Sequence, residues 1–222
     1  MSNQTVELFS GPKIFSSIAG ALGYETFTVD LDGNTLPNLV ADIRSLDVAQ
    51  LPSSPLVVWA APPDGPFNLA QHEQGWDETG HPKIKAAEEA MAVLRATIET
   101  IANLKAAWWF IENPYGPLRR FATMSGFNRG YPTRNRITID HNDYGSGARF
   151  LTDVWTNAFW WHPRKEAMSR LAARPAGAKV QVVGVQGRRL PTPAIAEMFE
   201  QLDDYVTRSV AARAFEPPKL DS

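Results

Sequence analysis

Val57-Val58-Trp59-Ala60-Ala61 is an unbroken apolar run that stops at two prolines, Pro62-Pro63. It is too short for a helix and carries no polar residue, so it reads as a strand buried on both faces. The prolines supply no N–H and end its ladder. Further short segments read as strands at 6–9, 24–31, 38–43, 108–111 and 180–185, and 136–140 alternates like one. Between them lie stretches with helical spacing: 14–22, followed by Gly23 as a stop signal, then 81–104, and a closing helix at 193–210. Strands alternating with helices in this way predict an α/β fold, a mostly parallel sheet with helices on both faces. Residues 64–81 are polar and turn-rich and read as a mobile loop. No linker or repeat is visible, so one domain is expected over 1–215, with a Pro-rich tail at 216–222.

At 222 residues the chain can build one sizeable core. No run of 18 apolar residues occurs and the first residues lack the basic and apolar regions of a secretion signal, so no membrane partner is expected. There is no cysteine, which excludes disulfides, thiolate metal sites and thiol catalysis. The four histidines show no paired ligand spacing, so no metal is expected. The formal net charge of −2 gives no global attraction to nucleic acid. Its distribution is uneven: residues 117–139 carry Arg119, Arg120, Arg129, Arg134 and Arg136 and no acid. That run is either a solvated surface or a face that contacts phosphates, with Arg119, Arg120, Arg134 and Arg136 as the nucleic-acid-binding candidates.

Three segments carry a more specific pattern. Glu7-Leu8-Phe9-Ser10-Gly11 ends the first strand at a glycine turn, the run at 57–61 leads into Pro62-Pro63-Asp64, and Trp108-Trp109-Phe110-Ile111 runs into Glu112-Asn113-Pro114. Leu151-Thr152-Asp153-Val154-Trp155-Thr156-Asn157, after the turn Asp143-Tyr144-Gly145, adds a fourth, and Arg188-Arg189-Leu190-Pro191 before the last helix a fifth. In this order, over about residues 5–205, the chain resembles the DNA (cytosine-5-) methyltransferase family, especially its short phage-type members. The resemblance implies a Rossmann-like, S-adenosylmethionine-dependent methyltransferase fold, DNA as partner, and a cytoplasmic setting in a bacterial or phage-infected cell. The 151–157 stretch also has a plain structural reading, a core strand burying Val154 and Trp155.

For the cofactor, S-adenosylmethionine or a modified form of it, the resemblance implies Phe9, Ser10, Gly11, Lys13, Asp30, Asp42 and Pro62. The three glycines of a dinucleotide fingerprint are missing, so an NAD site is not expected. Asp30, 19 residues after Gly11, is placed to accept from ribose hydroxyls, and Asp42 from the adenine amine. The alternative is that both acids only cap strand ends. Lys13 stands where the family carries a second glycine. It can point outward, meet the cofactor carboxylate, block the pocket, or select a cofactor with an added negative group.

The resemblance assigns Asp64, Glu112 and Asn113 to catalysis. In the family a cysteine follows the two prolines and attacks the base, and a glutamate matching Glu112 contacts it. Asp64 replaces that cysteine, and a carboxylate is a poor nucleophile toward a ring carbon. Asp64 can instead accept from an exocyclic amine, with Phe67 stacking on the base, or it is simply the turn residue of Pro-Asp-Gly. Three functions stay open: a DNA base-modifying transferase without a covalent step, an inactive DNA-binding or regulatory relative, and a methyltransferase for nucleotides or other small molecules.

Overall fold

A computed structural model describes residues 2–67, 72–78, 81–120, 136–145, 150–163 and 190–214. Its strands are β1 (Gln4–Leu8), β2 (Glu25–Asp30), β3 (Leu39–Val40), β4 (Val57–Ala60), β5 (Trp108–Pro114), β6 (Arg136–Asp140) and β7 (Leu151–Thr156). Its α-helices are α1 (Ile14–Ala21), α2 (His72–Gly75), α3 (Lys85–Leu104) and α4 (Thr192–Ala214). The strand expected at 180–185 and the tail at 216–222 lie outside the described residues.

The strands form one mixed sheet in the order β3-β2-β1-β4-β5-β7-β6. The first five are mutually parallel, while β7 runs antiparallel between β5 and β6. The fold class expected from the alternating pattern is the one observed. Alternation along each strand sends its side chains to two cores. Val6, Leu8, Val58, Ala60, Trp109 and Ile111 pack with α3 on one face. Val57, Trp59, Phe110 and Val154 pack with α1 and α4 on the other. On this second face Phe15 of α1 stacks on Trp59 at 5.2 Å, and Trp59 on Phe110 at 5.4 Å. Such a row seats α1 firmly on the central strands; losing one fully buried aromatic costs about 3–5 kcal/mol.

The first turn of α1 is stabilised from outside the helix. Its N-cap residue, Lys13, is left-handed (φ 56°) and offers no side-chain cap. The buried Glu7 carboxylate of β1 instead accepts from the Ser16 N–H at 2.9 Å. A carboxylate at this end meets both the open N–H groups and the positive end of the helix dipole.

Three expected boundaries move, each for a local reason. The strand expected at 38–43 keeps only Leu39–Val40, because Asp42 caps a 3-10 turn at Ile43–Ser45 through the Arg44 N–H. The helix expected from 81 begins at Lys85: Trp76 bridges to Pro82, and the Lys83 N–H donates to the Gly75 carbonyl, holding the approach extended. The segment read as a loop at 64–81 contains a 3-10 turn (Gly65–Phe67) and α2. There Phe67 and Trp76 stack at 5.3 Å and are buried against the α3 face, so a polar stretch is held down by its two large rings.

Candidate active site

Between β1 and β4 the strand order changes direction, and open α/β sheets hold ligands outside the carboxyl ends of their strands at that point. A cleft of about 550 Å³ lies there, a size suited to a small organic molecule. Phe9, Pro12, Asp30, Asp42 and Arg44 line one part of it, and Pro62, Asp64, Glu112, Asn113 and Pro114 another. Residues from five strand ends, far apart in the chain, are thereby brought together.

The first part is built on the turn after β1. Phe9 (φ 60°), Gly11 (φ 44°) and Lys13 (φ 56°) are all left-handed. Only glycine takes this conformation without a steric penalty, so Phe9 and Lys13 hold strain where strain commonly marks a ligand site. The turn is tied to β2: Asp30 accepts from the Gly11 N–H at 2.7 Å and from the Asp32 N–H at 2.8 Å. Ser10 is fully buried in this turn, and its Oγ has no partner among the described residues. The Lys13 ammonium donates to the Leu36 carbonyl in the β2–β3 connection. Lys13 therefore holds a left-handed backbone that favours glycine and sends its charge away to a neighbouring loop.

Asp42 is clasped by Arg44, whose backbone N–H (2.9 Å), Nε (3.0 Å) and Nη2 all reach its carboxylate. The hydrogen bonds from Arg44 hold the Asp42 carboxyl below its usual pKa and raise that of Arg44. Arg44 was not singled out from the sequence. The available signal was the Asp-x-Arg spacing, which places a guanidinium beside an acid that caps a tight turn.

The second part joins two strand exits. Pro62, Pro63 and Asp64 follow β4; Pro62 is buried and Asp64 half-buried. Glu112 and Asn113 end β5 and are both buried. Asn113 donates from Nδ2 to the Pro62 carbonyl at 3.3 Å, which links the two exits. Its Oδ1 is buried with no partner among the described residues. Glu112 accepts from the Leu190 N–H at 3.3 Å, so the segment leading into α4 returns to this end of the sheet. Phe67, expected to stack on a base, does not face the cleft: it is 2% exposed, stacked on Trp76 in the core.

The arginines are dispersed. Arg119 is bound to Asp153 through Nε (3.0 Å) and Nη2, and to Thr138 at 3.3 Å; Asp153 is fully buried. Arg136 is exposed at the start of edge strand β6, level with Trp155 of β7, and does not line the cleft. Arg120 closes a 3-10 turn, Pro117–Arg120, while Arg129 and Arg134 lie outside the described residues. The 151–157 stretch forms β7 with Val154 and Trp155 buried, and Asn157 accepts from the Trp109 N–H at 2.8 Å, fastening the start of β5. Among the described residues no group of three His, Asp or Glu is arranged around a metal position, and no helix is long and apolar enough to cross a membrane.

No family model and no curated protein matches the sequence. Solved structures do match the fold. The Entamoeba histolytica methyltransferase EhMeth superposes with a TM-score of 0.53 at 13% identity, over 74% of this chain and 56% of that one. A variant of Spodoptera frugiperda DNMT2 gives 0.51 at 15% identity, over 74% of this chain and 54% of that one. The chain thus spans little more than half the length of these two proteins. At such identity the likeness speaks for architecture: the protein has the Rossmann-like methyltransferase fold.

Proposed function

We propose that the protein is an S-adenosylmethionine-dependent transferase that methylates an exocyclic amine of a DNA base without a covalent intermediate. The observation that carries this reading is the chemistry of the second part of the cleft. It presents acceptors, the Asp64 carboxylate and the buried Asn113 Oδ1, which has no partner among the described residues, beside a Pro62-Pro63 turn. The chain contains no thiol. Acceptors suit a donor substrate, and an amine is a donor; a methylated ring carbon would need a nucleophile first.

The cofactor fits the first part on independent grounds. Asp30 and Asp42 border a cleft of suitable volume, and the Ser10 Oγ, in the turn after β1, is a buried polar atom without a partner among the described residues. Phe9, Ser10, Gly11, Asp30, Asp42 and Pro62 would hold it, and it would supply an electrophilic methyl group. The protein's own work is positioning: Asn113 would orient the amine by accepting a hydrogen bond from one of its N–H groups. Asp64 would take the proton the nitrogen gives up as it gains the methyl group, the cofactor leaving as a neutral thioether. Glu112, fixed by Leu190, keeps the β5 exit in register with this pair.

A second reading, a methyltransferase for free nucleosides or nucleotides, is favoured by the arginines, since Arg119 is paired with Asp153 and Arg136 does not line the cleft. One experiment separates the two. Methyl-labelled S-adenosylmethionine is incubated with single- and double-stranded DNA and with free nucleosides, and the products are digested and weighed. The DNA reading expects N4-methylcytosine or N6-methyladenine in the polymer. Label confined to free nucleosides moves the assignment to the second reading, and 5-methylcytosine overturns the role given to Asp64. Asp64→Ala is expected to abolish transfer while retaining the thermal stabilisation conferred by S-adenosylhomocysteine.

A further inference from the structure

With Phe67 in the core, a partly open aromatic group at the exit of β5 is Tyr115. It lies two residues past Asn113 and directly after Pro114, which lines the cleft. Tyr115 is 38% exposed. Its backbone is fixed, since its N–H donates to the Leu151 carbonyl at 2.9 Å. Its ring is fixed as well: the Arg119 guanidinium sits over one face, 3.7 Å from the ring centre. That guanidinium is held by the buried Asp153, and Thr138 donates to Asp153 at 2.7 Å, completing a three-residue network. Arg119 thus covers one ring face, while Tyr115 as a whole keeps a substantial exposed surface.

We propose that Tyr115 is a stacking platform for an unpaired nucleobase of the strand whose target amine enters the cleft. The inference rests on the nucleic-acid reading given above and assigns it a contact. A flat ring with one face covered by a guanidinium and its backbone pinned loses little freedom when a base lands on the other face. Stacking of this kind tolerates any sequence, because every base has a π face. It also gives Arg119 a role other than contacting phosphate: its charge is neutralised by Asp153, and its plane supports the ring. The open acceptor of Asn113, two residues away, places hydrogen-bond recognition of an amine next to this platform.

The test uses fluorescence anisotropy with the full-length protein and S-adenosylhomocysteine present throughout. The probes are a labelled single-stranded oligonucleotide and a matched strand of abasic sugar-phosphate units. Wild type is expected to prefer the base-bearing strand by roughly 5- to 100-fold. Tyr115→Ala should lose most of that preference and Tyr115→Phe should keep it. The dependence of log affinity on log salt should be the same for wild type and Tyr115→Ala, because a ring neutralises no phosphate. Tyr115→Ala retaining the full preference overturns the platform and leaves the nucleic-acid reading standing. Wild type binding neither strand overturns that reading and the platform with it.

Discussion

The Oδ1 of Asn113 is an acceptor that the described protein does not satisfy, and a buried polar atom in that state costs about 1–3 kcal/mol. The same side chain spends its Nδ2 on Pro62, at a length that marks a weak bond. Replacing it with an apolar group of similar volume should therefore cost little stability while removing recognition of the amine. Asn113→Leu is expected to melt within a few degrees of wild type and to lose at least about 100-fold in kcat/KM, the scale of one positioned hydrogen-bonding group in a site closed to water. Unchanged turnover in the labelled-methyl assay would take Asn113 out of the mechanism. Asp42 makes the opposite case, because its carboxylate is already bonded to Arg44. Asp42→Asn weakens that clasp and removes the charged acceptor proposed for the adenine amine. Titration calorimetry should show S-adenosylhomocysteine binding about tenfold weaker, in line with loss of one charge-assisted hydrogen bond. Unaltered affinity would return Asp42 to the plain role of turn cap.

At the level of elements, the site exists because two strand exits touch. Gly116, just beyond β5, approaches the Phe67 carbonyl so closely that a Cβ there would lie 2.6 Å from the oxygen. The obstacle is backbone, so the exits of β4 and β5 must separate to admit it. Gly116→Ala should lower the melting temperature by several degrees and depress transfer by more than the loss of folded protein explains. A melting curve and an activity measured well below the transition test this together; normal values in both would mean that the exits are not held by this contact. The same elements explain what could be seen in the sequence. The cores of β4 and β5 are legible because each is an apolar run closed by proline or an acid, and β1 and β2 because short strand-like segments end at glycine or an acid. The acids at their ends, Asp30, Asp42, Asp64 and Glu112, could be placed at one edge as soon as the sheet was taken as parallel. What remained hidden depended on partners distant in the chain. Arg119 stands in a run without acids, yet its counter-ion is Asp153, 34 residues later. Phe67 and Tyr115 are both aromatics beside the prolines, and only packing against Trp76 decides which enters the core. For Arg44 the Asp-x-Arg spacing signals the clasp on Asp42, while its place in the cleft lining depends on how the strand ends assemble.

On the scale of the whole molecule, the sheet divides its work along its width. The parallel half, β3 to β5, carries the cleft, while the antiparallel addition of β7 and β6 supports the exit of β5 through the Asp153 network and through the β5–β7 pairing that runs to Pro114. The outermost part of that support contains a titratable group. His141, just after β6, is buried and its Nε2 shares a hydrogen bond with the Thr152 hydroxyl of β7 at 2.8 Å. Burial lowers its pKa from 6.5 to about 4, outweighing the neighbouring Asp140 carboxylate, which favours the charged form. The folded protein therefore resists protonation at a ring that the unfolded chain protonates near pH 6.5. Stability from this group is complete above about pH 6.5, falls as pH drops toward about 4, and changes no further below. Across that window the loss approaches about 1.4 kcal/mol per pH unit. Other carboxylates titrate at the lower end, so the informative quantity is a difference. Urea unfolding of wild type and His141→Gln at pH 7, 5.5 and 4.5 should give a steeper decline for wild type, with the two curves converging as pH falls. Parallel curves would mean that His141 does not stay neutral in the fold and that the β6–β7 edge is not what acid loosens first.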